Sequence, residues 1–275
     1  MDRRILIVAA SAALLFGSLA ARSALAHDME GMDMGSDSAS SSDSSTGSVG
    51  GMGKHMDMGP HMTMTKLRTP TPEDTERARQ IMKTMRAELA KYQDYKVAET
   101  DGYLPYMETV PQDVYHFSNK QRTEDEYLGN VDLKRPGSLL YEKKPLGGYK
   151  LVGAMYSAPA TFTPDQLDKL IPLGLTRWHE HTNICLPPGI TEEDVMNGKI
   201  KPHANSRAVG MGRHTDPRLG YFADQRFGFT GTIYEAGECA GFGGTFHPLI
   251  FGWMVHVYPF ADTDDLKVAF GLDAP

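Results

Sequence analysis

The chain has 275 residues and a formal net charge of −7. That length suits one core of ordinary size with accessory segments. The acidic balance argues against a nucleic-acid partner and against docking on an anionic membrane surface.

The first 26 residues read as a secretory signal. Arg3 and Arg4 give a positive start, residues 5–21 are apolar and uncharged, and Ala24-Leu25-Ala26 offers small residues where a signal peptidase cuts. This segment holds Arg3, Arg4 and Arg22 against Asp2, a net +2, so the chain cut after Ala26 carries −7 − 2 = −9. No later run is long enough to span a bilayer. The expected location is the periplasm or the exterior. Residues 27–65 are rich in Ser, Gly, Asp and Met, a composition that cannot bury enough apolar surface to order itself. They are predicted to be disordered. Their Met and His residues recur in short units, HDMEGMDMG, HMDMG and HMTM. Thioethers and imidazoles together select copper, above all Cu(I). The candidate tail ligands are His27, Met29, Met32, Met34, His55, Met56, Met58, His61, Met62 and Met64.

Residues 66–275 are predicted to form a single globular domain. Thr71-Pro72-Glu73-Asp74 opens a helix with a hydroxyl cap, a proline and acids in the first turn. Ala78, Ile81, Met82, Met85, Leu89 and Tyr92 recur at helical spacing, and the helix is expected to reach about Glu99. VYHFSN (114–119), SLLYEK (138–143) and YKLVGAMYS (149–157) have strand composition, with a turn at Pro145, Gly147 and Gly148 between the last two. Thr163 caps a short helix over 164–170, and Thr191 another near 192–197. Residues 198–222 read as a long loop, and 234–239 as a possible short helix. FHPLIFGWMVHVYPF contains a strand ending near Tyr258. The predicted class is α+β, with one long N-terminal helix packed on an antiparallel sheet or open β-barrel.

RWHEHTNICLPP (177–188) is the unusual stretch. In a strand, His179, His181, Asn183 and Cys185 share a face with Arg177. His116 and His256 each sit in a further apolar strand, and His247 precedes a proline in a loop. Three or four neutral imidazoles suit copper, zinc or iron. The candidate metal ligands are therefore His116, His179, His181, His256 and His247, with Glu142 as a possible carboxylate. The two cysteines, Cys185 and Cys239, form an even pair that reads as a disulfide in an oxidising compartment. Alternatively, Cys185 ligates metal as a thiolate. There is no HExxH, CxxCH, phosphate loop or nucleophile elbow.

YHFSN, PGSLLYEK, YKLVGAMYSAP, RWHEHTNICLPP and FGWMVHVYPF together resemble a group of uncharacterised exported bacterial proteins. The resemblance covers roughly residues 100–260, brings no assigned activity, and implies only that these blocks form a unit. Three functions stay open. One is an exported copper-handling protein whose domain holds one ion and whose tail captures more. Another is a metal-dependent oxidoreductase with an open position and with Tyr141, Tyr258 and Arg177 orienting substrate. The third is a binding module whose histidines are hydrogen-bonded core residues.

Overall fold

In the computed structural model, residues 59–108, 112–198, 224, 226–261 and 265–271 are described. The signal segment, residues 27–58 and nearly all of the loop at 198–222 lie outside them. The strands are β1 (Met62–Met64), β2 (Leu104–Pro105), β3 (Tyr115–Ser118), β4 (Ser138–Lys143), β5 (Tyr149–Ala158), β6 (His179–Leu186) and β7 (Thr245–Val257). The helices are α1 (Pro72–Leu89), α2 (Tyr95–Thr100), α3 (Lys120–Tyr127), α4 (Pro164–Leu170), α5 (Glu192–Met196), α6 (Ala236–Gly241) and α7 (Leu266–Ala269). All seven strands join one sheet in the order β1-β6-β7-β5-β4-β3-β2, and every pairing is antiparallel. The molecule is thus α+β.

Caps decide where the helices begin. The Thr71 hydroxyl accepts from Asp74 N while the Asp74 carboxylate accepts from Thr71 N, and Pro72 fills the first helical position. The helix does not run to Glu99. It ends at Leu89, a 3-10 turn covers Ala90–Gln93, and Asp94, extended and capping Lys96 N, starts α2 afresh. Helix α3 was not anticipated, because KQRTEDEY has no apolar period. Its start is fixed by Asn119, whose side chain accepts from Arg122 N. Its end is fixed by buried Glu126, which accepts from Gly137 N and Ser157 N and so ties α3 to β4 and β5.

One sheet face is the main core. Ala78, Met82, Met85 and Leu89 of α1 pack there with Tyr115, Phe117, Leu139, Tyr141, Ala154, Tyr156, Val255 and Val257. Alternation sends the residues between these to the opposite face: His116, Leu140, Met155, Met254 and His256.

Residues 59–65 are ordered, contrary to the expectation for the tail. They form a 3-10 turn at Gly59–His61 and then β1, which pairs with β6 in the register Met62↔His181, Thr63↔Glu180 and Met64↔His179. The pairing is held beyond the strand by Thr65 N donating to Trp178 O at 2.8 Å and Trp178 N donating to Thr65 Oγ1 at 3.0 Å.

Cys185 and Cys239 form a disulfide that links β6 to α6, with Cα atoms 5.7 Å apart. It closes a loop of 239 − 185 − 1 = 53 residues. Replacing both cysteines with serine is expected to cost about 4 kcal/mol on the loop-entropy account. For a domain of this size that is a fall of roughly 8–16 °C in melting temperature. Urea unfolding of the double variant beside the parent measures it. A shift below about 1 kcal/mol would mean that the bridge does not constrain the unfolded chain.

Candidate metal centre

Four imidazoles from three strands meet on the face away from α1. His179 and His181 come from β6, His256 from β7 and His116 from β3. Ring centroids lie 5.3 Å apart for His116 and His256, 5.4 Å for His179 and His256, and 5.5 Å for His179 and His181. The Nε2 atoms of His116 and His256 approach to 3.3 Å. Strands β7 and β3 are separated by β5 and β4, so a flat sheet would hold them about 14 Å apart at the usual strand spacing. Contact between their rings requires the sheet to curve, with this face concave. Two irregularities accompany the bend. The β4–β5 register shifts at Leu140/Tyr141, and the β6–β7 register shifts between His179 and His181. Bulges of this kind bend strands and raise their twist. Gly153 allows the close approach: a Cβ there would stand 2.4 Å from the Val257 carbonyl oxygen.

The rings are 2 to 8 % exposed. Burial lowers the basicity of all four. His116 and His181 are pushed down to about 4, and His179 and His256 fall well below the ordinary histidine value. Neighbouring imidazoles add to the effect for His179, His181 and His256, and no carboxylate counters it at any of the four. The site is therefore a set of neutral imidazoles at neutral pH, the protonation state in which histidine ligates metal. Nδ1 of His179, His181 and His256 is buried without a hydrogen-bond partner among the described residues. Orphaned buried polar atoms are uncommon and each costs about 1–3 kcal/mol.

A tetrahedral ion bound at 2.0–2.1 Å sets its nitrogen ligands about 3.3–3.4 Å apart. The His116–His256 pair already has that spacing. Among the described residues, no three His, Cys, Asp or Glu side chains are disposed to hold one ion as they stand. His179 is the next ring in line, its centroid 5.4 Å from that of His256 and 5.5 Å from that of His181.

Other predicted site residues lie elsewhere. Glu142 is exposed at the end of β4, where it acts on Tyr258 and not on an imidazole. His247 is in β7, not in a loop, opposite Ile184, with Nδ1 3.5 Å from Glu192 Oε2. It joins none of the four rings because eight residues of strand separate it from His256. Cys185 is consumed by the disulfide and offers no thiolate. Asn183 has φ +56°, which breaks the alternation along β6, and its amide donates to Pro60 O. Arg177 is exposed and precedes the strand. Tyr141 is on the core face and donates to Tyr92 O. Of the tail ligands, His61 is buried, with Nδ1 3.0 Å from Asn183 O and Nε2 2.7 Å from Gly231 O. A neutral imidazole has one N–H, so the ring donates to one of these two carbonyls at a time, and either bond fixes residues 59–61 against the body of the domain. Met62 and Met64 lie in β1. His27, Met29, Met32, Met34, His55, Met56 and Met58 are outside the described residues.

Met155 and Met254 were missed as site residues. Met254 lies opposite His179 and Met155 opposite His256, so both share the histidine face. The i, i+2 spacing of Met254 and His256 was the available signal. Met155 had none, since its partner is about a hundred residues away. Among the described residues no helix is long and apolar enough to cross a membrane. No family model matches the chain, and no curated protein or solved structure matches it either.

Proposed function

We propose that this chain is an exported metal-binding protein of the cell envelope that handles copper. Its domain holds an ion through His116, His179, His181 and His256, on the concave side of an open sheet backed by α1. The observation that carries this reading is the burial of four neutral imidazoles in a chain of ring contacts, His116–His256–His179–His181, three of which keep a nitrogen without a partner among the described residues. Histidines serving only as core residues would be hydrogen-bonded. Imidazole combined with thioether favours copper over zinc or iron. The Met and His units between residues 27 and 58 supply further capture sites of the same chemistry, and the resemblance to exported bacterial proteins agrees with an envelope role. For an oxidoreductase, Tyr258 is beside the site, its ring centroid 6.4 Å from that of His256, but the rings are enclosed and Tyr141 faces away from them.

Replacing His179 and His181 together with alanine is expected to remove one bound copper per chain and leave the tail's copper in place. Metal analysis after dialysis against a weak chelator measures the difference. Unchanged stoichiometry in a folded double variant overturns the assignment.

A further inference from the structure

Resting on the histidine site just proposed, we infer that it takes a monovalent soft ion, Cu(I) or its analogue Ag(I), in preference to a divalent one. Met62, Met64, Met155 and Met254 set that preference. The first ground is the sheet register. Residues directly opposite in an antiparallel pair share a face, with Cβ atoms about 4.5–5.5 Å apart. Met64 and Met254 flank His179 from its two neighbouring strands, Met62 stands opposite His181, and Met155 stands opposite His256. Three of the four histidines thus have a thioether on the adjoining strand, carried by a side chain flexible enough to swing toward an ion. Met62 and Met64 are half-buried on the edge strand, whereas Met254 is buried.

The second ground is charge. The only thiols of the chain are joined in the disulfide. Glu142 is exposed, and Glu180 alternates off the histidine face in register with Thr63. The donors around the rings are therefore neutral. The cost of moving an ion out of water grows with the square of its charge, so an M²⁺ ion costs about four times as much to bury as an M⁺ ion of the same size. Without an anionic ligand to offset that cost, the enclosed face discriminates against the divalent state. Thioethers add affinity for the soft monovalent ion and little for zinc.

The test uses the full chain, titrated separately with Ag(I) and Zn(II) and followed through the ring ¹H–¹⁵N NMR signals of the domain histidines, which report this site apart from the tail. In the parent, the His179 and His256 signals are expected to respond at a free Ag(I) concentration at least a hundredfold below that for Zn(II). In a Met62→Leu/Met64→Leu/Met254→Leu variant, which conserves side-chain volume, the Ag(I) midpoint is expected to rise tenfold or more while the Zn(II) midpoint stays within threefold. An unmoved Ag(I) midpoint, or equal shifts for both ions, overturns the thioether inference and leaves the histidine site standing. If neither ion perturbs these rings in the parent, the histidine site itself fails. Should the triple variant not fold, the edge pair Met62→Leu/Met64→Leu decides the matter with a threefold rise as the threshold.

Discussion

The metal-free protein is expected to lose most of its stability as the pH falls from 6.5 toward 4. Each buried imidazole has a folded-state basicity below that of the unfolded chain, so protons bind preferentially to the unfolded state. The associated stability is complete above about pH 6.5 and is lost as the pH drops through the folded values. For His116 and His181, pushed down to about 4, linkage gives a loss of about 2 kcal/mol each between pH 7 and pH 5, and about 3 kcal/mol each by pH 4. His179 and His256 act in the same direction. Glu126 opposes them: burial raises it to about 8, so it is mostly neutral in the folded protein at pH 7 while the unfolded chain is ionised, and falling pH removes that advantage of the unfolded chain, returning roughly 2–3 kcal/mol between pH 7 and 5. The imidazoles prevail, and a typical domain has only about 5–15 kcal/mol to lose. Urea unfolding in chelator-treated buffer at pH 7, 6 and 5 measures the slope. Stability that is level or rising from pH 7 to 5 would show that the four rings are not buried as neutral bases.

Replacing His256 with leucine is expected to stabilise the metal-free protein while abolishing metal binding in the domain. Most buried substitutions destabilise by about 0.5–3 kcal/mol. Here the wild-type side chain keeps Nδ1 buried without a partner, at about 1–3 kcal/mol. Leucine removes that cost at similar volume. It also deprives His116 of its 3.3 Å neighbour, which takes back about 1 kcal/mol. The net expectation is a gain of roughly 0–2 kcal/mol at pH 7, which enlarges toward pH 5 because one acid-sensitive imidazole is gone. A folded variant destabilised by 2 kcal/mol or more would identify His256 as an ordinary satisfied core residue. Gain of stability with loss of ligation is the pattern expected where a site is maintained against the preference of the fold.

Much of the architecture was legible where local chemistry decides it. Helices α1, α4 and α5 begin at the threonines that cap them, and β4 and β5 fall on their β-branched and aromatic runs. The period-two spacing of His179 and His181 likewise put them on one face. Long-range partners were not legible. Strand β1 hides in a low-complexity stretch, and its pairing partner is more than a hundred residues distant. The positive φ of Asn183 and the register shift beside it interrupt an alternation that looks regular in the sequence. For Cys185, spacing was silent between bridge and ligand, since only Cα proximity to Cys239 settles the choice.

The short strand at residues 62–64 also bears on where this chain can be cut. It satisfies the outer backbone groups of β6, and a protein trimmed to begin at residue 66 would leave them bare beside the histidines. Exposed ribbon edges recruit the same edge from another molecule. A truncation there would favour strand-exchanged dimers or aggregates, whereas one beginning at residue 59 keeps the built-in edge guard.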